Sequence, residues 1–289
     1  MANIIDAIIT LVNNPITKIT EYYNGCNRVK NAGDALEEYV KDIFSNTFGI
    51  SETGRLERMS NTFSYLGNNY NPPYAMLWDG DAIEIKKIEL KTSVLALTSP
   101  LALNSSYPKQ KISIHSKLIK QGCKQAENGN WKEKDVIYVA GIVDKQSNLN
   151  HLSMVYGMDY CANDEVYSRV KSTIKNGVES ITGVTFTESN ELGKINKIDP
   201  LGITHMRVKG VWGIENPWEV FNYVYERNSN KDFTFMCIIN EQKWSAFDNR
   251  DALLSLIEKT DNLEIQDVRI KNPDNPAQLR DAKLITFYI

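Results

Sequence analysis

The chain has 289 residues, of which 42% are hydrophobic and 24% charged, and its formal net charge is −3. It can bury a sizeable core as one large α/β domain or two small ones, and bulk positive charge is excluded as a means of holding nucleic acid, which leaves local fields to do so. Four widely spaced cysteines in no C-x-x-C pattern (Cys26, Cys123, Cys161, Cys237) argue against a zinc cluster or disulfide framework and for reduced thiols in the cytoplasm.

Ile4, Ile5, Ile8, Ile9 and Val12 predict a first helix ending near Asn13-Asn14-Pro15. The stretch is short, interrupted by Asp6 and preceded by no basic run, so it reads as neither a signal peptide nor a spanning helix. A second helix is predicted from about Asn31 to Phe48, with Leu36, Tyr39, Val40, Ile43, Phe44 and Phe48 on its apolar stripe. At about 100° per residue, Glu37 borders that stripe and Glu38 points nearly opposite. Glu37 is thus the acid able to reach a site at the edge of the core, although a surface Glu is equally consistent with helix geometry. Residues 51–71 are polar and Asn-rich, carry Arg55 and Arg58, and are expected to include a loop.

Asn71-Pro72-Pro73 breaks the chain before a hairpin. Residues 74–78 run extended, Asp79-Gly80 turns, and residues 82–86 run back. Alternation places Glu84 and Lys86 on one face and Ile83 and Ile85 in the core. A carboxylate beside an ammonium can hold a divalent metal and polarise a water against a phosphodiester. A solvent-facing Glu–Lys pair is the commoner meaning of an isolated Glu-x-Lys.

From Thr92 to Ala126 there is no Asp or Glu, but there are Lys109, Lys111, Lys117, Lys120, Lys124 and His115. Asn104, Ser105, Ser106, Lys109 and Lys111 can hydrogen-bond base edges or phosphates, so this stretch is a candidate DNA-facing segment; a solvated lysine face is the alternative. Residues 135–143 predict a central strand covered on both faces, residues 151–158 a partner strand, and Asn163 caps a helix striped by Val166, Val170 and Ile174. A lone His151 at a strand start is more often structural than a ligand. Residues 177–200 are a candidate subdomain boundary within what otherwise reads as a single domain, 1–289. Arg207 and Lys209 share a face of a strand over 203–209 and are candidate backbone contacts. Asn216-Pro217 opens a short aromatic-rich segment. A strand over 233–239, a helix over 251–259 and late strands over 263–270 and 283–289 follow, the last two separated by a turn at 271–276.

Several blocks together resemble the NgoPII-type type II restriction endonucleases of the PD-(D/E)xK nuclease superfamily. They are AGDALEEYVK (32–41), FSYLGNN (63–69), GDAIE through KIE (80–89), MVYG (154–157), DPL (199–201), WGIENPW (212–218) and KNPDNPA (271–277). The resemblance covers essentially the whole chain. It implies a mixed central β-sheet flanked by helices, a Mg²⁺ requirement, a homodimer, double-strand cleavage at GGCC with 5′-phosphate ends, and a cognate DNA methyltransferase in the same system that is not a bound partner. Carried over by position, Glu84 would be a metal ligand, Lys86 would handle the attacking water, and Glu37 would be an auxiliary acid. The position of the family's first Asp is Tyr74 here, and a phenol is no hard carboxylate ligand. Three readings stay open: Asp79 or Asp81 substitutes; Asp79, Glu89 and Lys91, with the same spacing, form the site through a bulge; or Tyr74 marks a weakened form that binds its DNA site without cutting.

Overall fold

The computed structural model describes residues 2–24, 31–68, 71–89, 94–96, 108–117, 119–144, 146–188, 193–199, 201, 203–208, 212–228 and 230–289. The helices are α1 (Ile4–Asn13), α2 (Ile19–Tyr22), α3 (Ala32–Ser45), α4 (Glu52–Thr62), α5 (Gln121–Gln125), α6 (Gly157–Tyr160), α7 (Asp164–Glu179), α8 (Pro217–Val220), α9 (Glu241–Ala246) and α10 (Arg250–Ile257). The strands are β1 (Phe63–Asn68), β2 (Asn71–Leu77), β3 (Ala82–Glu89), β4 (Val94–Ala96), β5 (Lys111–Ser113), β6 (Glu133–Val143), β7 (Leu149–Tyr156), β8 (Thr185–Glu188), β9 (Gly193–Asn196), β10 (His205–Val208), β11 (Gly213–Glu215), β12 (Thr234–Asn240), β13 (Leu263–Asn272) and β14 (Asn275–Tyr288).

Among the described residues one nine-stranded sheet dominates, in the order β1-β2-β3-β6-β7-β12-β14-β13 with β5 on β6. It is mixed: β3–β6 and β7–β12 pair in parallel and the other pairs are antiparallel. This is the α/β architecture the resemblance implied. Two small sheets, β8–β9–β10 and β4–β11, lie off it. No described helix is long and apolar enough to cross a membrane.

Local sequence accounts for the elements that flank the site. Asn3 and Asp6 form a capping box on α1, whose Ile4, Ile5, Ile8 and Leu11 are fully buried. The side chain of Asn31 accepts from the amides of Gly33 and Asp34 and starts α3, and Asn46 ends it in the left-handed region at φ 49°. Helix α3 lays Leu36 on β6 at Gly141, where a Cβ would come within 2.7 Å of that leucine's Cδ2, so the glycine leaves room for the side chain. Ile83 and Ile85 join this core, while Ala82 faces a second one with Met76, Tyr138 and Phe221. Strand β6 is accordingly buried on both faces, as its apolar run predicts.

Three stretches differ from expectation. Residues 52–62 form α4 rather than a loop, because Arg55 finds buried partners on α3. Its guanidinium lies 2.6 Å from Glu38 and 2.8 Å from Asp42, so the face of α3 expected to be solvated is covered. The Val166–Val170–Ile174 stripe lies on α7, but no residue of that helix is buried. The turn at 271–276 is the tip of a long β13–β14 hairpin that runs well before residue 283.

His151 is fully buried, its Nδ1 2.6 Å from Thr234 Oγ1 and its Nε2 2.8 Å from Ser153 Oγ. Burial, assisted by Arg227, pushes its pKa down to about 3. The native ring stays neutral where the unfolded chain takes up a proton, so this contribution is complete above about pH 6.5 and is lost as pH falls toward 3. Stability should fall by up to about 1.4 kcal/mol per pH unit across that window. Urea unfolding of the wild type and His151→Asn at pH 7, 6, 5 and 4 checks it: the wild type should lose stability faster, and parallel lines would dispose of the idea.

Candidate active site

The hairpin forms as predicted: Asp79 takes φ 48° in the turn, and Ala75 pairs with Ile83 and Met76 with Ala82. There the β2–β3 pairing stops. Strand β2 continues to Asn71 on β1, while β3 continues to Glu89 on β6, from Ala82↔Val136 to Glu89↔Val143 without a break. The two strands splay, and Tyr74 and Glu84 stand level at the opening.

Glu84 Oε1 and Lys86 Nζ are 2.8 Å apart, with side chains only 12% and 16% exposed. A solvated surface pair would be far more open, so the two charges are held in the protein. Beside Glu84 on β6 is Tyr138, whose hydroxyl accepts from the Lys109 amide at 2.8 Å. The Lys109 side chain is buried, and its ammonium interacts with Asp164 and Glu84. Burial lowers its pKa, opposed by those two carboxylates. The Lys109 charge is therefore met inside the protein rather than by solvent. Tyr138, a polar aromatic within an apolar central strand, was the signal that something is anchored there.

Glu37 belongs to a second pair, with Tyr74. The Tyr74 hydroxyl donates to the Glu37 carboxylate, and Lys41 Nζ lies 5.4 Å from the centre of the Tyr74 ring. Burial pushes the Glu37 pKa up to about 7, against the pull of Tyr74 and Lys41. Burial would also raise neighbouring Glu38, but Lys41 and Arg55 outweigh it and hold that carboxyl below the usual range. Helix α3 packs on the face of Ile83 and Ile85, whereas Glu84 and Lys86 take the alternate positions on β3.

Asp81 is 9% exposed and has both oxygens engaged: Tyr156 donates at 2.8 Å and Lys243 Nζ lies at 2.9 Å. Lys243 also pairs with Asp135 at 2.6 Å. The Asp79 amide donates to Glu127. Because β3 keeps its register through Glu89, the bulge needed by the Asp79–Glu89–Lys91 alternative is absent from that strand. Lys91 lies outside the described residues, as do Asn104, Ser105, Ser106 and Lys209. Arg207 lies on β10 opposite Lys194. Lys111 is half exposed and 3.7 Å from Asp135.

Among the described residues no group of three or more His, Cys, Asp or Glu could hold a metal alone. Magnesium is commonly held by one or two carboxylates together with substrate phosphates and waters. Glu84, on β3 where its pairing with β2 has ended, fits that mode.

Gly157 fixes the approach of Lys109. A Cβ there would lie 2.3 Å from the Lys109 carbonyl oxygen, and backbone cannot swing aside as a side chain can. Gly157→Ala should destabilise by about 1–3 kcal/mol through overpacking, read as a lower midpoint in urea unfolding; an unchanged midpoint would mean the segment relaxes freely.

A family model described as NgoPII restriction endonuclease matches residues 2–271. A protein named type II restriction enzyme NgoPII, from Neisseria gonorrhoeae, is 56% identical over 287 residues, covering 99% of this chain and 100% of that protein. No solved structure is a significant match.

Proposed function

Since this chain belongs to the NgoPII restriction endonuclease family and is a type II restriction endonuclease acting on DNA, we propose that Glu84 and Lys86 are its catalytic pair. The observation that carries this is the sequestered 2.8 Å Glu84–Lys86 contact where β2 and β3 part. Type II restriction enzymes generally use a divalent metal, and here Mg²⁺ is the proposed one, with Glu84 as its protein ligand. Asp81 would join it only by releasing Lys243, and Asp79 from the turn beside it. Bound Mg²⁺ supplies a Lewis acid at a phosphate oxygen.

Lys86 orients the attacking water and, as an ammonium, stabilises the charge growing on phosphorus, or deprotonates that water after giving up its own proton. Water attacks in line and the 3′ oxygen leaves, giving 5′-phosphate ends. Glu37, with a pKa near 7, is suited to exchange a proton as an auxiliary acid. The DNA site is a short palindrome, GGCC, read by a homodimer that brings one active site to each strand. Asn104, Ser105, Ser106 and Lys111 are the proposed base-reading side chains, with Arg207 and Lys209 on the backbone. The enzyme works in the cytoplasm, where a cognate methyltransferase, not bound to it, protects the host's own sites.

The test is a duplex with a single GGCC, incubated with Mg²⁺, with Mn²⁺ or with chelator, and its ends mapped. Cleavage at that site with metal alone is expected; an uncut duplex under every metal, or cuts elsewhere, would overturn the specificity proposed. A second reading rests on the buried Tyr74–Glu37 hydrogen bond at the first-Asp position. It is a chain that binds its site tightly, with steep salt dependence, but cuts slowly or not at all. The same assay, run beside a gel-shift measurement, reports it as bound and intact duplex.

A further inference from the structure

We propose that Lys109 is a positioning residue: buried within electrostatic reach of Asp164 at the start of α7 and Glu84 on β3, it anchors the middle of the acid-free segment to the catalytic pair. The inference rests on Glu84 and Lys86 being that pair.

A lysine is almost never fully buried unless its charge is met, and Lys109 is 6% exposed. Its main chain is fixed on several sides. The amide donates to Tyr138, the lateral neighbour of Glu84, and the carbonyl lies against Gly157. The next residue continues the clamp. Gln110 Nε2 donates to the Cys161 carbonyl at 2.9 Å and to Asp274 Oδ2 at 3.0 Å, and its carbonyl accepts from the Val136 amide at 3.1 Å. The clamp holds the Lys109 main chain beside Tyr138, and the buried ammonium feels the carboxylates of Asp164 and Glu84.

Glu84 thus answers to two cations of different kinds. Lys86 comes from its own strand, two residues on, and is carried by local periodicity. Lys109 comes from the segment that holds the proposed base-reading residues. As a mere filler, the buried charge would be a poor choice beside an apolar side chain of similar length. As a positioning group it resembles the outer partners of catalytic carboxylates, whose loss typically costs about 10–100-fold in activity.

The test compares Lys109→Met, Lys109→Arg and Asp164→Asn with Glu84→Ala, in single-turnover cleavage and in DNA binding without metal. For Lys109→Met the expected result is a cleavage rate constant lower by roughly 10–100-fold, with Kd and its salt slope unchanged. Lys109→Arg should recover most of the rate, and Asp164→Asn should lose rate without losing affinity. A lysine that touches DNA would instead weaken binding and lower the salt slope by about one, and that outcome overturns the proposal, as does an unchanged rate. Melting of Lys109→Met, Glu84→Gln and the double variant reads the coupling independently of activity: non-additive Tm shifts are expected, and additive ones exclude it. Should Lys109→Met fail to fold, Lys109→Arg and Asp164→Asn carry the same comparison. If Glu84→Ala still cuts, the catalytic pair itself is wrong; if Glu84→Ala is dead while Lys109→Met cuts normally, only the role of Lys109 fails.

Discussion

Lys86→Ala is expected to remove cleavage, lowering the single-turnover rate by about 10³-fold or more while leaving the fold and metal-free DNA binding in place. Proton handling by a positioned side chain contributes roughly 10²–10⁴-fold, and a positioned group that stabilises developing charge contributes about 10²–10³-fold. Either role reaches about 10³-fold at its upper end. The Lys86 ammonium is 2.8 Å from Glu84 and its side chain is 16% exposed, so no nearby solvent cation replaces it readily. Duplex cleaved at the wild-type rate by a correctly folded Lys86→Ala would refute the site.

Tyr74→Asp should act in the opposite direction, raising single-turnover cleavage tenfold or more. The substitution puts a carboxylate level with Glu84 at the strand splay and beside Glu37, which now receives the tyrosine's hydrogen bond. It has a structural penalty that helps identify it. The ring is 4% exposed and packs in the main core, so its loss should cost about 3 kcal/mol or more. The new Asp and Glu37 also repel each other. Tm should therefore drop in chelator and recover part of the loss in Mg²⁺, because a ligand that binds only the native state stabilises it. A Tyr74→Asp protein that melts as predicted yet cuts no faster would move the first ligand elsewhere, with Asp81 the next residue to change.

Much of the frame around this site was legible in one dimension. The helix starts near Ile4 and Asn31, the cap at Asn163, the Asp79-Gly80 turn and the apolar run of β6 each follow from interactions spanning a few residues. Other features had no local signature. Arg55 covers α3 from 17 positions beyond Glu38, and that contact turned an expected loop into α4. The stripe of α7 has helical spacing, and periodicity predicted the helix; whether anything covers the stripe is a matter of neighbours, and Val170 and Ile174 are each 41% exposed.

The sequence alone determined that Glu84 and Lys86 share a strand face, because side chains alternate along any extended chain. It also determined that a tyrosine stands where the family's metal chemistry expects an aspartate. Only the tertiary structure decided that β2 leaves β3 at that level, that Lys243, 162 positions from Asp81, ties up that carboxylate, and that Lys109 lies buried beside Glu84. The division is physical: strand parity and turn geometry depend on the torsions of adjacent residues, whereas strand splay and charge partnership depend on which distant segments pack together.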